Sequence, residues 1–206
     1  MNYKPKYFTI DSWEYDVLYE AAQLISGVPG FTCEVGLREG GGTEAIVQGF
    51  FDNYDNHVHI AIDPYGDLIY AVDVWEVPLQ RVGYTNEMKM RSIPKIHEWC
   101  SQHNVDFIFF NLEDTEFFKR YADGVPVYSD NKKSIINEYA LVHIDGPHSV
   151  EPVTLEAQFF IPRISKGGIL VFDDTEFYKH DTVHALVMAN GFEVVRLGHK
   201  TVYRKL

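Results

Sequence analysis

Cysteine is nearly absent: Cys33 and Cys100 are the only two in 206 residues. Two cysteines cannot define a disulfide framework, and these two lack metal-type spacing. Both read as small buried hydrophobes. Long apolar runs are missing as well. None approaches the roughly 20 residues that span a bilayer, and Met1 to Asp16 holds no apolar signal core. The expectation is a cytoplasmic protein with no membrane partner. Positive charge is sparse: Lys and Arg number 18 against 30 Asp and Glu, for a formal net charge of −12. No basic cluster is longer than the pair Lys132-Lys133, so a nucleic-acid backbone or an anionic membrane finds little to bind. A phosphate-loop Gly-Lys-Ser/Thr, internal repeats, low-complexity segments and domain linkers are also missing.

What remains is a chain of ordinary globular composition, 46% hydrophobic and 23% charged, long enough for one domain with a sizeable core. Residues 1–206 are expected to form a single domain. The 15% aromatic content is high and is compatible with a homo-oligomer. Asp11 and Glu14 have capping-box spacing, and the helix after them ends at Gly27-Val28-Pro29-Gly30, which closes an N-terminal helical segment over 1–30. Strands are predicted at 31–35, 58–62, 105–110, 139–144 and 169–172, with closing strands at 192–197 and 200–204. Helices are predicted at 43–51, 88–103, 115–121 and 180–190, and by i, i+4, i+7, i+11 spacing from Val153 to Ile164, with Gly167-Gly168 as the stop. Residues 64–84 and 123–131 read as loops. The first is long and aromatic, and reads as an insertion that lines the substrate site, closes over it or packs on a neighbour. Alternation of this kind predicts an α/β, doubly wound, mainly parallel sheet with helices on both faces and an antiparallel C-terminal strand.

Ligands of such sheets bind outside the carboxyl ends of the strands. Every predicted end here carries an acid: Glu34, Asp63, Glu113-Asp114, Asp145 and Asp173-Asp174. The first is followed by Gly36, Gly40, Gly41 and Gly42, then Thr43 at a helix start. A glycine turn lets backbone approach a ligand closely, and the helix N-terminus offers free N–H groups. A small-molecule partner is expected.

With Glu34-x-Gly36-x-x-x-Gly40 and Asp63 in these places, the chain resembles the class I S-adenosylmethionine-dependent methyltransferases, from about Phe31 to the C-terminus. That resemblance implies a cofactor site on Glu34, Gly36, Gly40, Gly42, Thr43 and Asp63. Asp63 would accept from the ribose hydroxyls, and Glu34 would fix the loop or meet the cofactor's ammonium. A relaxed dinucleotide pattern, Gly40-x-Gly42-x-x-Ala45, supports an NAD-binding oxidoreductase instead, but its phase is poor because Gly36 to Glu39 intervene.

Ile144-Asp145-Gly146-Pro147-His148-Ser149 and Gly167 to Asp174 narrow the resemblance to metal-dependent small-molecule O-methyltransferases of sugar and macrolide type. That implies Mg²⁺ held by Asp145, Asp173 and Asp174, with a sugar or glycoside hydroxyl as acceptor. Hard oxygen ligands suit that ion. The sugar enzymes carry an acid at the position of Pro147, and the catechol-type relatives a lysine at the position of His148. His148 and Asp145 are accordingly the candidate catalytic residues. A metal-independent methyltransferase acting on another acceptor is the alternative. His180, His184 and His199 read as surface or half-buried residues, and Tyr65, Trp75, Phe177 and Tyr178 as walls of the acceptor site or as core.

Overall fold

The computed structural model describes residues 3–74, 77–129 and 131–206; Trp75 lies outside them. The elements are α1 (Tyr15–Gln23), β1 (Phe31–Val35), α2 (Gly41–Asp52), β2 (His59–Ile62), β3 (Ile69–Val74), β4 (Val77–Val82), α3 (Asn86–Gln102), β5 (Phe107–Phe110), α4 (Asp114–Arg120), β6 (Val125–Ser129), β7 (Lys132–Ile136), β8 (Tyr139–Ile144), α5 (Val150–Phe160), β9 (Ile164–Phe172), α6 (Asp181–Ala189), β10 (Phe192–Arg196) and β11 (Thr201–Lys205). Seven strands form one sheet in the order β10-β11-β9-β8-β1-β2-β5. β1, β2, β5, β8 and β9 run parallel, and β11 lies antiparallel between β9 and β10. This is the architecture expected from the alternation of strand and helix patterns.

Side chains alternate across the sheet, and each face carries its own core. Leu141 and Val171 pack with Leu18, Ile46 and Phe50 on the face covered by α1, α2 and α3. Val142 and Phe172 pack with Phe117, Phe160 and Val187 on the other. No helix among the described residues is long and apolar enough to cross a membrane.

Four local expectations need correction. The two loops at 64–84 and 123–131 contain antiparallel hairpins, β3 with β4 and β6 with β7. A proline masked each strand pattern. Pro78 and Pro126 sit in two-stranded ribbons, whose outer edges need no N–H donor from them. Gly167-Gly168 does not end a helix; it lies inside β9, where the pairing with β8 shifts register. A Cβ on Gly168 would stand 3.0 Å from the Ala140 carbonyl oxygen, so the bulge depends on its missing side chain. The capping box does not form. Glu14 makes no side-chain cap for α1, and Asp11 instead accepts the Tyr15 hydroxyl at 2.5 Å.

Candidate active site

The glycine turn is shaped by acids on both sides. Gly36 follows β1 with φ 86°, and a Cβ there would lie 2.1 Å from the Asp145 carbonyl oxygen. At Gly42, in the first turn of α2, a Cβ would lie 1.8 Å from Glu34 Oε1. The turn between them is held by Asp63. Its Oδ2 accepts the Leu37 and Arg38 N–H groups at 2.9 and 3.0 Å, and its Oδ1 accepts that of Tyr65 at 3.0 Å. Three of about four acceptor sites on this carboxylate are therefore used. Burial pushes the Asp63 carboxyl up to about 6 despite those bonds. A ribose hydroxyl would use the acceptor capacity that these bonds leave.

Parallel register sets Glu34 beside His143. A row of buried polar groups runs from there across the α1–α3 face of the sheet. Thr43 Oγ1 donates to Glu34 Oε2 at 2.7 Å, and His143 Nδ1 lies 3.1 Å from Glu34 Oε1. His143 Nε2 is 3.8 Å from Asp173 Oδ2. Burial disfavours the imidazolium, but Asp173 and Glu34 outweigh it and raise His143 to about 9. At the far end, antiparallel pairing of Thr201 with Phe172 sets Lys200 across from Asp173. The Lys200 ammonium, fully buried, is paired with the Asp173 carboxylate. Burial opposes ionisation of Asp173, yet Lys200 and His143 hold its carboxyl well below the ordinary range.

Two cavities open at this end of the sheet, the first over this row. One, of about 410 Å³, is lined by Glu34, Arg38, Asp145, His148, Asp174 and His199 and reaches Ser12 and Trp13 of the N-terminal segment. The other, of about 440 Å³, is more apolar and runs past Asp63, Leu68 and Asp114. They meet at Gly36, Tyr84 and His148, which line both. His148 bridges two acids, with Nε2 3.3 Å from Asp145 Oδ1 and Nδ1 2.9 Å from Asp174 Oδ2. Burial lowers its affinity for a proton, but the two carboxylates raise it to about 10. With a proton on each ring nitrogen His148 donates to both acids. Burial and the neighbouring Asp173 push the Asp145 carboxyl above the usual range.

The candidate residues are thus gathered at one end of the sheet. Asp173 does not line the cavity; it faces Lys200. His199, half-buried as read, enters the site 2.9 Å from Asp174 Oδ1 and 5.0 Å, ring to ring, from Trp13. His180 and His184 stay away and share the Tyr203 hydroxyl at 2.9 Å each. Tyr65 is buried, with its hydroxyl donating to the Arg38 carbonyl, and Tyr178 is bonded to His180; Phe177 does line the polar cavity. Sequence reasoning missed Lys200, His143 and Ser12. Only strand register brings the first two in, and nothing in the linear pattern marks the third.

The acids do not fit a three-carboxylate magnesium site. Among the described residues, three groups of possible ligand atoms lie within 4.8 Å: His143, Asp145 and Asp173; Asp145, His148 and Asp174; Asp173, Asp174 and His199. Each pairs two acids with an imidazole, and none unites the three aspartates. Asp173 is further spent on Lys200. Each group therefore offers a hard ion two carboxylates and an imidazole, not the three carboxylates that the resemblance implies.

Taken together, strand order and glycine turn define a Rossmann-like protein that holds a nucleoside-type ligand across the carboxyl ends of its strands. The profile of the family described as "Methyltransferase domain" matches residues 33–175, more than half of the chain, and the chain belongs to that family. It is a class I S-adenosylmethionine-dependent methyltransferase. A search of curated protein sequences found no match. Among solved structures, the calicheamicin methyltransferase CalS11 is 16% identical with a TM-score of 0.62, covering 92% of this chain and 76% of its own. The O-methyltransferase NovP is 18% identical at 0.56, covering 93% and 78%. TomG from Streptomyces achromogenes, solved with S-adenosylmethionine, is 7% identical at 0.58, covering 96% and 81%. At these identities the likeness is one of fold.

Proposed function

We propose that this enzyme methylates a hydroxyl of a small polar molecule, of sugar or glycoside type, and that its own side chains handle the proton. The observation that carries this is the meeting of an apolar cavity and an acid-lined cavity at Gly36, Tyr84 and His148. The apolar cavity suits an adenosine, flanked by Asp63 and Asp114. The polar one suits an acceptor with several hydroxyls, since Asp145 and Asp174 accept hydrogen bonds and Trp13, 65% exposed at the rim, offers a ring face. CalS11 is also described as a TDP-rhamnose 3'-O-methyltransferase, which is in keeping with a sugar acceptor here.

S-adenosylmethionine, when bound, supplies an electrophilic methyl group on a sulfonium. Transfer is then an in-line displacement: the acceptor oxygen bonds to the methyl carbon as the carbon–sulfur bond breaks. The enzyme's part is to position the two reactants and receive a proton. Asp145 takes the hydroxyl proton. Its raised carboxyl brings it nearer neutrality, where a general base works best. His148, pinned between two acids, holds the Asp145 carboxylate in place. Magnesium assistance, which the resemblance implies, has no three-oxygen site to act from, and no step is assigned to it.

Calorimetry with S-adenosylhomocysteine, followed by transfer of labelled methyl to nucleotide sugars, glycosides and simple phenols, tests the reading. Stoichiometric cofactor binding and a methyl ether on a sugar hydroxyl are expected. Methylation confined to nitrogen acceptors would refute the hydroxyl assignment. A protein that binds NAD and ignores S-adenosylhomocysteine would remove the whole scheme.

A further inference from the structure

Lys200 is 0% exposed, an expensive place for a charge unless it is fully paired. Its ammonium touches the Asp173 carboxylate and donates to Ser12 Oγ at 3.1 Å. It also lies 5.9 Å from the centroid of the Tyr15 ring. Its backbone N–H donates to Glu14 Oε2 at 2.8 Å, so main chain and side chain are both fixed. The partner acid is equally committed. Asp173 Oδ2 receives Lys200 and, at 3.2 Å, the Ser12 hydroxyl. Asp173 Oδ1 receives the Asp174 N–H at 2.8 Å and lies 3.3 Å from His199 Nε2. An ionised carboxylate has about four acceptor sites; Lys200, Ser12 and the Asp174 N–H take three of them, and His199 Nε2 stands beside the fourth.

We propose that Lys200 is a resident cation that occupies, at Asp173, the place of a divalent ion, so that the acceptor site of this chain is completed by a lysine and needs no metal. An ion arriving at Asp173 would meet a fixed positive charge in a poorly screened setting and find both oxygens already engaged by Lys200, Ser12 and the Asp174 N–H. Of the expected metal ligands, the two that line the cavity, Asp145 and Asp174, already share the His148 imidazole. Ser12 extends the device to the N-terminal segment, because one hydroxyl bonds both members of the pair. The inference rests on reading this cavity as the acceptor site. Its test reads ion binding alone, so it can fail while the methyl-transfer reading stands, and the reverse.

The test is titration of the protein, alone and with S-adenosylhomocysteine present, with Mn²⁺ followed by electron paramagnetic resonance and with Mg²⁺ followed by calorimetry. The wild type is expected to leave both ions free up to millimolar concentration. Lys200→Met, which frees the Asp173 oxygens, is expected to bind Mn²⁺ at least about tenfold more tightly than the wild type. Adding Asp173→Asn to Lys200→Met should abolish that gain. Stoichiometric uptake of either ion by the wild type below millimolar overturns the proposal, as does a folded Lys200→Met that gains no site. Should Lys200→Met fail to fold, the wild-type titration decides alone: uptake overturns the proposal and its absence supports it.

Discussion

Glu156 lies wholly buried on α5, and no donor reaches either of its carboxylate oxygens. Its close neighbour Asp114 is another acid, so the two can bond only through a shared proton. Burial first, and Asp114 second, push the Glu156 carboxyl well above its ordinary 4.5. The folded chain thus keeps a proton that the unfolded chain releases near 4.5, and stability falls as pH rises above that value. Glu156→Gln removes the titration and gives Asp114 an amide donor. It is expected to be more stable than the wild type at pH 8, by about 1–3 kcal/mol, with the gap closing toward pH 4.5. Parallel melting curves check this; a gap independent of pH would contradict it. Gly42 offers a second test at the same scale. Gly42→Ala drives a methyl into the Glu34 carboxylate, a clash that costs about 1–3 kcal/mol. It should lower both melting temperature and affinity for S-adenosylhomocysteine, because Thr43 and His143 hold Glu34 where it is. Single residues were legible in the sequence where topology alone decides position. Acids at the ends of parallel strands must gather at one edge of the sheet, and they do. Which oxygen each acid turns to the cavity was not legible, since Asp173 and Asp174 are adjacent in sequence, yet Asp173 faces Lys200 and Asp174 faces His148.

The N-terminal segment is tied to α2 by a single side chain. Glu44, in the first turn of the helix, accepts the backbone N–H groups of Lys6, Tyr7 and Phe8 at 2.7, 3.0 and 3.0 Å and the Tyr3 hydroxyl at 3.2 Å. Bonds to a charged acceptor contribute about 1.5–3 kcal/mol each when well formed, but the segment is short and partly exposed. Glu44→Ala is therefore expected to open residues 3–14 locally rather than unfold the molecule. Hydrogen exchange should show the Lys6, Tyr7 and Phe8 amides losing protection while those of β1 and β8 keep theirs. Unchanged protection at these three amides would mean that the segment is held by other contacts. The elements of the sheet were legible because their strands are short apolar runs bounded by glycine, proline or acids. The two hairpins were not, because Pro78 and Pro126 break the pattern by which strands are read, yet cost nothing on a ribbon with free edges. Register was the other loss. Lys200 stands opposite Asp173 only because Thr201 pairs with Phe172, and a slip of one residue would turn the lysine to the other face of the sheet.

At the scale of the whole molecule, net negative charge and buried imidazolium groups act together. The chain carries a formal −12, and it folds by placing protonated histidines among acids that would otherwise repel one another. His143 is raised to about 9 and His148 to about 10, whereas unfolded histidines titrate near 6.5. The stabilisation from these raised values is complete below 6.5 and is lost as pH rises through the folded values. A tenfold gain in proton affinity on folding corresponds to about 1.4 kcal/mol, so His143 contributes on the order of 3 kcal/mol; His148, nearer solvent, contributes less. The acid side has mixed signs. His59 and His180 are lowered to about 3 and 4 by burial, which favours higher pH, while Asp63 and Glu156 are raised, which favours lower pH. On the alkaline limb the two raised histidines set the direction, and Lys205, whose ammonium burial disfavours, opposes them only toward the ordinary lysine range. Denaturant unfolding between pH 6.5 and 9.5 is expected to show stability declining steadily, and His143→Gln should be less stable at pH 6.5 yet decline less steeply. If both proteins decline with the same slope, His143 does not carry its proton into the folded state. Glu34 and Asp173 would then face each other across the sheet with only Lys200 to offset them, and the charge balance of the acceptor site would fail at its centre.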